Sequence, residues 1–241
     1  MAATIDEIAP DVFRISTYVA AADLGFAQFL VRDEGPLLYH TGMRRLFAEV
    51  HGAVARLIDP ATLHWIGFSH FEADECGALN EWLAAAPAAV AVCGETCRRV
   101  DMADYAARPA RGLADHETIE TGRHRLRFHQ TPHLPHGWGA GHLFDEETRT
   151  LLCSDILHQG GDRPALSHGD VVDDARRALA GYEATPLRGY VALTRQTDRF
   201  LRELASLEPT TLATMHGSTY AGDGAAALLG YRDALDELFA G

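Results

Sequence analysis

The chain has 241 residues, enough for one large α/β unit to bury its core without disulfides or a structural metal. Lys and Arg number 21 against 34 Asp and Glu, a formal charge of −13, which argues against nucleic acid or an anionic membrane surface as a partner. Cys76, Cys93, Cys97 and Cys153 form no C-x-x-C pair and read as reduced thiols of a cytoplasmic protein, and the longest apolar stretch, 82–93, is broken by Pro87 and too short to span a bilayer.

Residues 12–19 and 26–32 are rich in β-branched and aromatic residues and read as two strands, with a turn near 22–25. A third strand, 37–39, follows Asp33-Glu34-Gly35-Pro36. Leu46, Val50, Val54 and Leu57 recur at helical spacing, which predicts an amphipathic helix over 43–57. A short buried strand, 64–68, runs into a polar segment. Next come a helix over 77–86, a strand at 88–92, a helix over 95–105, a loop at 109–116 and a hairpin of 118–120 with 123–130. A loop dense in Pro, His and Gly (131–139) leads to strands at 141–144 and 150–153. A polar connector at 160–170, a helix over 190–207, a strand at 211–215 and a helix over 225–239 complete the chain. No Gly/Ser/Pro-rich linker interrupts this order, so 1–241 reads as one domain, and two successive runs of strands and helices suit a two-sheet sandwich with helices outside.

Thirteen histidines are many for this length, and several stand beside carboxylates at strand ends. The segment Ser69-His70-Phe71-Glu72-Ala73-Asp74-Glu75 leaves a strand, where alternate residues point the same way. His70 and Glu72 can then converge on one metal ion, with Asp74 one step further, toward a neighbouring ion. The plain alternative is a polar loop with Asp74 as a helix cap. A second anchor is His136, in Pro135-His136-Gly137-Trp138-Gly139. Asp155 follows the strand after the next hairpin, and its two oxygens suit it to bridge two cations. The third anchor is His216-Gly217, at the end of the last strand. His133 reads either as a support behind the ligands or as a cap of its loop, His40 as a support, and His142 as a packed strand residue. Phe71 and Trp138 adjoin ligands and are candidates for pocket walls or for core packing. The remaining histidines, His158 among them, have no partner spacing.

In the order H-x-E-x-D, His, Asp, His-Gly, each at a strand end, the anchors resemble the metallo-β-lactamase superfamily over nearly the whole chain. That resemblance implies an αβ/βα four-layer sandwich. Glu72 stands where the superfamily's usual motif has its second histidine, and this form is similar to the di-iron domain of flavodiiron proteins and to stand-alone oxygen-binding di-iron proteins. Carried over position by position, the resemblance implies His70, Glu72 and His136 on a first iron, Asp155 as the bridge, and Asp74 and His216 on a second. Glu75 replaces a histidine that need not bind in flavodiiron proteins, so its ligation stays open. A carboxylate in place of an imidazole favours iron or manganese over zinc. With no flavodoxin domain after Gly241, no bound flavin is expected, and Gly-Trp-Gly after His136 differs from the flavodiiron Trp-Pro-Asp-Ser.

The expected function is therefore binding or reduction of oxygen or nitric oxide at a dinuclear, di-iron centre, with electrons from an external redox donor, or oxygen sensing without turnover. The alternative is a metal-dependent hydrolase of an ester, thioester, lactam, amide or phosphodiester, with zinc or manganese as other metals and Asp74 or Glu75 as catalytic proton carriers. A degenerate site serving only as a scaffold is the third reading. A homodimer is compatible with each.

Overall fold

The structure, a computed structural model, describes residues 3–239. Strands β1 (Thr4–Ala9), β2 (Val12–Val19), β3 (Leu24–Val31), β4 (Leu37–Tyr39), β5 (Trp65–Gly67), β6 (Val90–Gly94) and β7 (Arg111–Leu113) form one seven-stranded sheet in that spatial order. Its first four strands pair antiparallel and β4 to β7 pair parallel. The second half supplies β8 (Thr118–Glu120), β9 (Arg125–Gln130), β10 (Gly141–Asp145), β11 (Thr150–Ser154), β12 (Leu166–Ser167), β13 (Thr211–Thr214) and β14 (Thr219–Ala221), in the order β12-β14-β13-β11-β10-β9-β8.

Period-two alternation sorts the side chains into layers. In β3, Phe26 and Leu30 join Phe13 and Ile15 of β2 on the outer face, packed with residues of helices Phe47–Val54 and Leu79–Ala85. Ala27, Phe29 and Val31 face inward, with Leu37, Tyr39, Phe128, Leu143 and Leu152, and fill the space between the sheets. In β11, Leu151 and Cys153 turn to the other outer face, covered by helices Val171–Tyr182, Thr197–Ala205 and Gly224–Phe239. The result is the helix–sheet–sheet–helix sandwich expected from the sequence. Among the described residues no helix is long and apolar enough to cross a membrane.

Several elements differ from the sequence reading. Residues 109–116 contain an edge strand, β7, and the connector at 160–170 contains β12. Helix Val171–Tyr182 lies in a stretch with no sequence assignment. The Asp170 side chain caps it by accepting from Asp173 N–H at 3.0 Å, and its buried stripe is only Val171, Ala175 and Leu179. The helix expected over 190–207 is shorter, Thr197–Ala205. Residues 190–196 stay irregular because their polar groups are used elsewhere. Ala192 N–H donates to Pro135 O and Thr194 N–H to Thr197 Oγ1.

The topology puts the candidate ligands along one edge. β4 and β5 are parallel neighbours, as are β11 and β13. His40, the Ser69–Asp74 segment, Asp155 and His216 therefore leave the sheets at C-terminal strand ends. The loop after β9 brings His136 to the same edge. Gly141 N–H donates to Ser69 O, and Met215 N–H to Ser154 O, which tie these loops together.

Candidate metal centre

Four side chains converge first. Nε2 of His70 and Nε2 of His136 lie 3.0 and 2.8 Å from the same oxygen, Glu72 Oε2. Both nitrogens also lie 3.6 Å from Asp155 Oδ2. The other oxygen of that carboxylate, Oδ1, is 3.2 Å from His216 Nε2, which is 3.3 Å from Asp74 Oδ2. One buried carboxylate thus faces two groups of donors. Ligand bonds of about 2.1 Å set neighbouring donor atoms about 3.0–3.4 Å apart, close to what is seen here.

Each histidine is oriented by its other nitrogen. His136 Nδ1 meets Tyr190 O at 2.9 Å and His216 Nδ1 meets Gly25 O at 2.8 Å. A carbonyl only accepts, so both Nδ1 atoms carry protons and the Nε2 lone pairs are left for the site. His70 Nδ1 lies 2.7 Å from Ser69 Oγ. The turn after His216 needs glycine. Gly217 has φ +100°, a Cβ there would lie 2.5 Å from Gln159 Cβ, and its carbonyl accepts from buried Arg14 at 2.7 Å.

The sequence reading left open whether Glu75 binds metal, and the structure places it behind His70. Glu75 is fully buried. Oε1 accepts from Ser154 Oγ at 2.5 Å, and Oε2 accepts from Ser69 N–H and Ser69 Oγ at 3.1 Å and pairs with His40 Nε2 at 3.0 Å. His40 is buried one layer deeper still. Buried His142 points Nε2 at Leu134 O, while His133 is exposed and closes its loop through its main chain to Gly137 O.

The fit to a cation also shows in the charge balance. Burial opposes protonation of His70, but Glu75, Glu72 and Asp155 outweigh it and raise its pKa to about 9. His216, likewise opposed by burial, is raised to about 10 by Asp155 and Asp74. Hydrogen bonds from His136 and His70 lower Glu72 to about 2. Without a cation, protons do the neutralising. Asp155 Oδ1 is nevertheless left buried and without a well-directed hydrogen bond.

These shifts predict a pH signature. Histidines raised from 6.5 stabilise the metal-free fold fully below that value and lose the contribution as pH rises through 9 and 10. Glu72, lowered from 4.5, contributes above that value and loses the contribution as pH falls through about 2. Metal-free protein should therefore be most stable between these limits and weaken toward alkaline pH, while bound metal removes the alkaline loss. Metal uptake at pH 7 should release protons from His70 and His216, with the number falling as pH passes 9 to 10. Calorimetry in buffers of different ionisation enthalpy measures this, and pH-independent uptake without proton release would contradict it.

The site opens at Glu72, whose side chain is 46% exposed, while His70, Asp155 and His216 are buried. Exposed Phe71 lies beside the opening. It lines a cavity of about 600 Å³ with Met43, Tyr105, Cys76 and Glu72, whereas Trp138 stands outside this cavity and is exposed. Sequence spacing missed three aromatic neighbours. Buried His158 packs its ring 4.7 Å from that of His216, and its nitrogens meet Tyr190 Oη at 3.1 Å and Tyr182 Oη at 2.6 Å.

Two sheets face to face, helices outside, and a histidine–carboxylate cluster at the strand ends define a protein of the metallo-β-lactamase-like class. The chain belongs to the family described as ODP family beta lactamase, which matches residues 24–217. No curated protein matches the sequence. Among solved structures it is similar to rubredoxin oxygen:oxidoreductase from Desulfovibrio gigas, with 19% identity, TM-score 0.82, and 95% of this chain and 61% of that one covered. The flavodiiron protein from Giardia intestinalis is 18% identical, with TM-score 0.80 and coverage of 97% and 60%. The metal-soaked Flv1 flavodiiron core from Synechocystis is 21% identical, with TM-score 0.81 and coverage of 98% and 61%. The chain thus spans about three fifths of the length of these proteins, and at such identities the likeness is one of fold.

Proposed function

We propose that this chain holds two iron ions and binds or reduces oxygen or nitric oxide with electrons from an external donor. His70, Glu72 and His136 hold the first ion, Asp74 and His216 the second, and Asp155 bridges them. The observation that carries this reading is the carboxylate of Glu72 between two imidazoles, with Asp155 shared behind it. Three carboxylates and three imidazoles are a donor set rich in oxygen, which suits iron or manganese better than zinc. Bound iron would supply one-electron chemistry toward a diatomic ligand. Anionic donors stabilise its oxidised state and lower its strength as a Lewis acid, which disfavours the hydrolytic alternative. The chain's own residues orient the ligands and leave only Glu72, His136 and Asp74 of the six partly open to water. Asp74, at the rim beside His216, is the better-placed proton carrier of the two carboxylates singled out by sequence. Glu75 is sealed behind His70 and serves as a support.

The test combines metal analysis with a two-armed activity assay. Anaerobic, iron-rich expression should give about two metals per chain, mainly iron. The reduced protein should consume oxygen with a reductase and change its absorbance, while turnover of ester, thioester, lactam and phosphodiester substrates stays weak. Two tightly bound zincs from such cultures, or rapid hydrolysis with no oxygen response, would turn the reading to the hydrolase.

A further inference from the structure

The second ion of the proposed pair has fewer protein donors in view than the first. Asp74 and Asp155 each lie beside His216 there, against four mutually close residues around the first. Glu75, next in sequence to Asp74, is turned away, and its two oxygens are taken by Ser69, Ser154 and His40.

His158 stands where a further donor is wanted. The turn after Asp155 runs through Leu157 at φ +63°, and the main-chain N–H of His158 donates to Asp155 O at 3.2 Å. This hairpin-tight turn folds the imidazole back beside the carboxylate three residues earlier. One donor atom each from Asp155, His158 and His216 lie within 4.8 Å of one another, and all three residues are buried. Tyr182 Oη and Tyr190 Oη now meet the two ring nitrogens. A phenol either donates or accepts, so one contact can be given up while the other keeps the ring oriented, as a support behind a ligand does.

We propose that His158 is a ligand of the second metal ion, completing a His158–His216–Asp74–Asp155 set; this rests on the dinuclear reading above. The set gives that ion two imidazoles and two carboxylates, and leaves the first ion's ligands untouched.

Cobalt(II) is the probe, titrated anaerobically into the full-length, metal-free chain and followed by visible absorption and metal content. Wild type should fill in two steps. His158→Gly should keep the first step and weaken the second by about tenfold or more. Added imidazole should restore the second step, which a purely structural role would not allow. His158→Gln, which can still hydrogen-bond a phenol, should show the same loss if glycine impairs folding. Tyr182→Phe should retain the second step. A second step unchanged in both His158 variants overturns the proposal, and so does a loss that imidazole fails to restore and that Tyr182→Phe reproduces. A wild type that binds a single cobalt overturns the dinuclear reading together with this one. Two steps in wild type with an indifferent His158 overturn this one alone.

Discussion

Asp155→Asn is expected to lose metal at both positions. The carboxylate sits 2% exposed between the two groups, with Oδ1 at 3.2 Å from His216 Nε2 and Oδ2 at 3.6 Å from Nε2 of His70 and of His136. An amide at that point removes the negative charge and turns one of the two oxygens into a donor, which repels a cation and cannot bridge. Both affinities should fall by well over about tenfold, since even supports behind ligands cost that much. The metal-free protein should suffer too. Burial disfavours ionised Asp155, yet His216, His70 and His136 hold its pKa low, and removing its charge leaves protonated imidazoles buried without their counter-ion. Breaking a buried pair from one side costs about 3–5 kcal/mol. Metal analysis and urea unfolding measure the two effects. Asp74→Asn is the contrast, because its ion pair is with His216, and it should mainly empty the second position. Wild-type metal content in Asp155→Asn would remove the bridge from the reading.

The second large effect is expected at Glu75. Replacement by Ala removes the side-chain acceptor of Ser69 N–H, takes one partner from each of the Ser69 and Ser154 hydroxyls and leaves His40 without its carboxylate, all of them buried. The loss should be about 3–5 kcal/mol in unfolding free energy, by the same one-sided breaking of a buried pair. Glu75→Gln keeps the shape and part of the hydrogen bonding. It should bind both metals with a smaller loss of stability, because both Glu75 oxygens are engaged by Ser69, Ser154 and His40. Loss of the second metal in Glu75→Gln, with stability intact, would instead make Glu75 a ligand.

The alternation of His70 and Glu72 illustrates what sequence alone determined. Read as alternate residues past a strand they share a side, and although β5 ends at Gly67 and 69–71 are bent, both do reach His136 and Asp155. The same period cannot be carried one step further. The chain turns helical at Ala73–Cys76, where successive residues are about 100° apart. Asp74 consequently meets His216, while Glu75 rotates inward to Ser69, Ser154 and His40. The layered sandwich was legible because both faces of its central strands are apolar and the strand-end polar residues stand out against them. The edge strands β7 and β12, and β14 beside β12, have two or three residues each, too few for periodicity to register. Helix Val171–Tyr182 escaped because its buried stripe is only Val171, Ala175 and Leu179, too few large apolar residues to mark a helical period. Only the tertiary structure could bring His158 to His216, 58 positions away in the chain, through the Leu157 turn, or set the Tyr190 carbonyl behind His136. Spacing reports which residues share a strand or a helix face; which loops meet at a sheet edge is decided by the pairing of β11 with β13 and of β4 with β5, contacts between segments far apart in sequence.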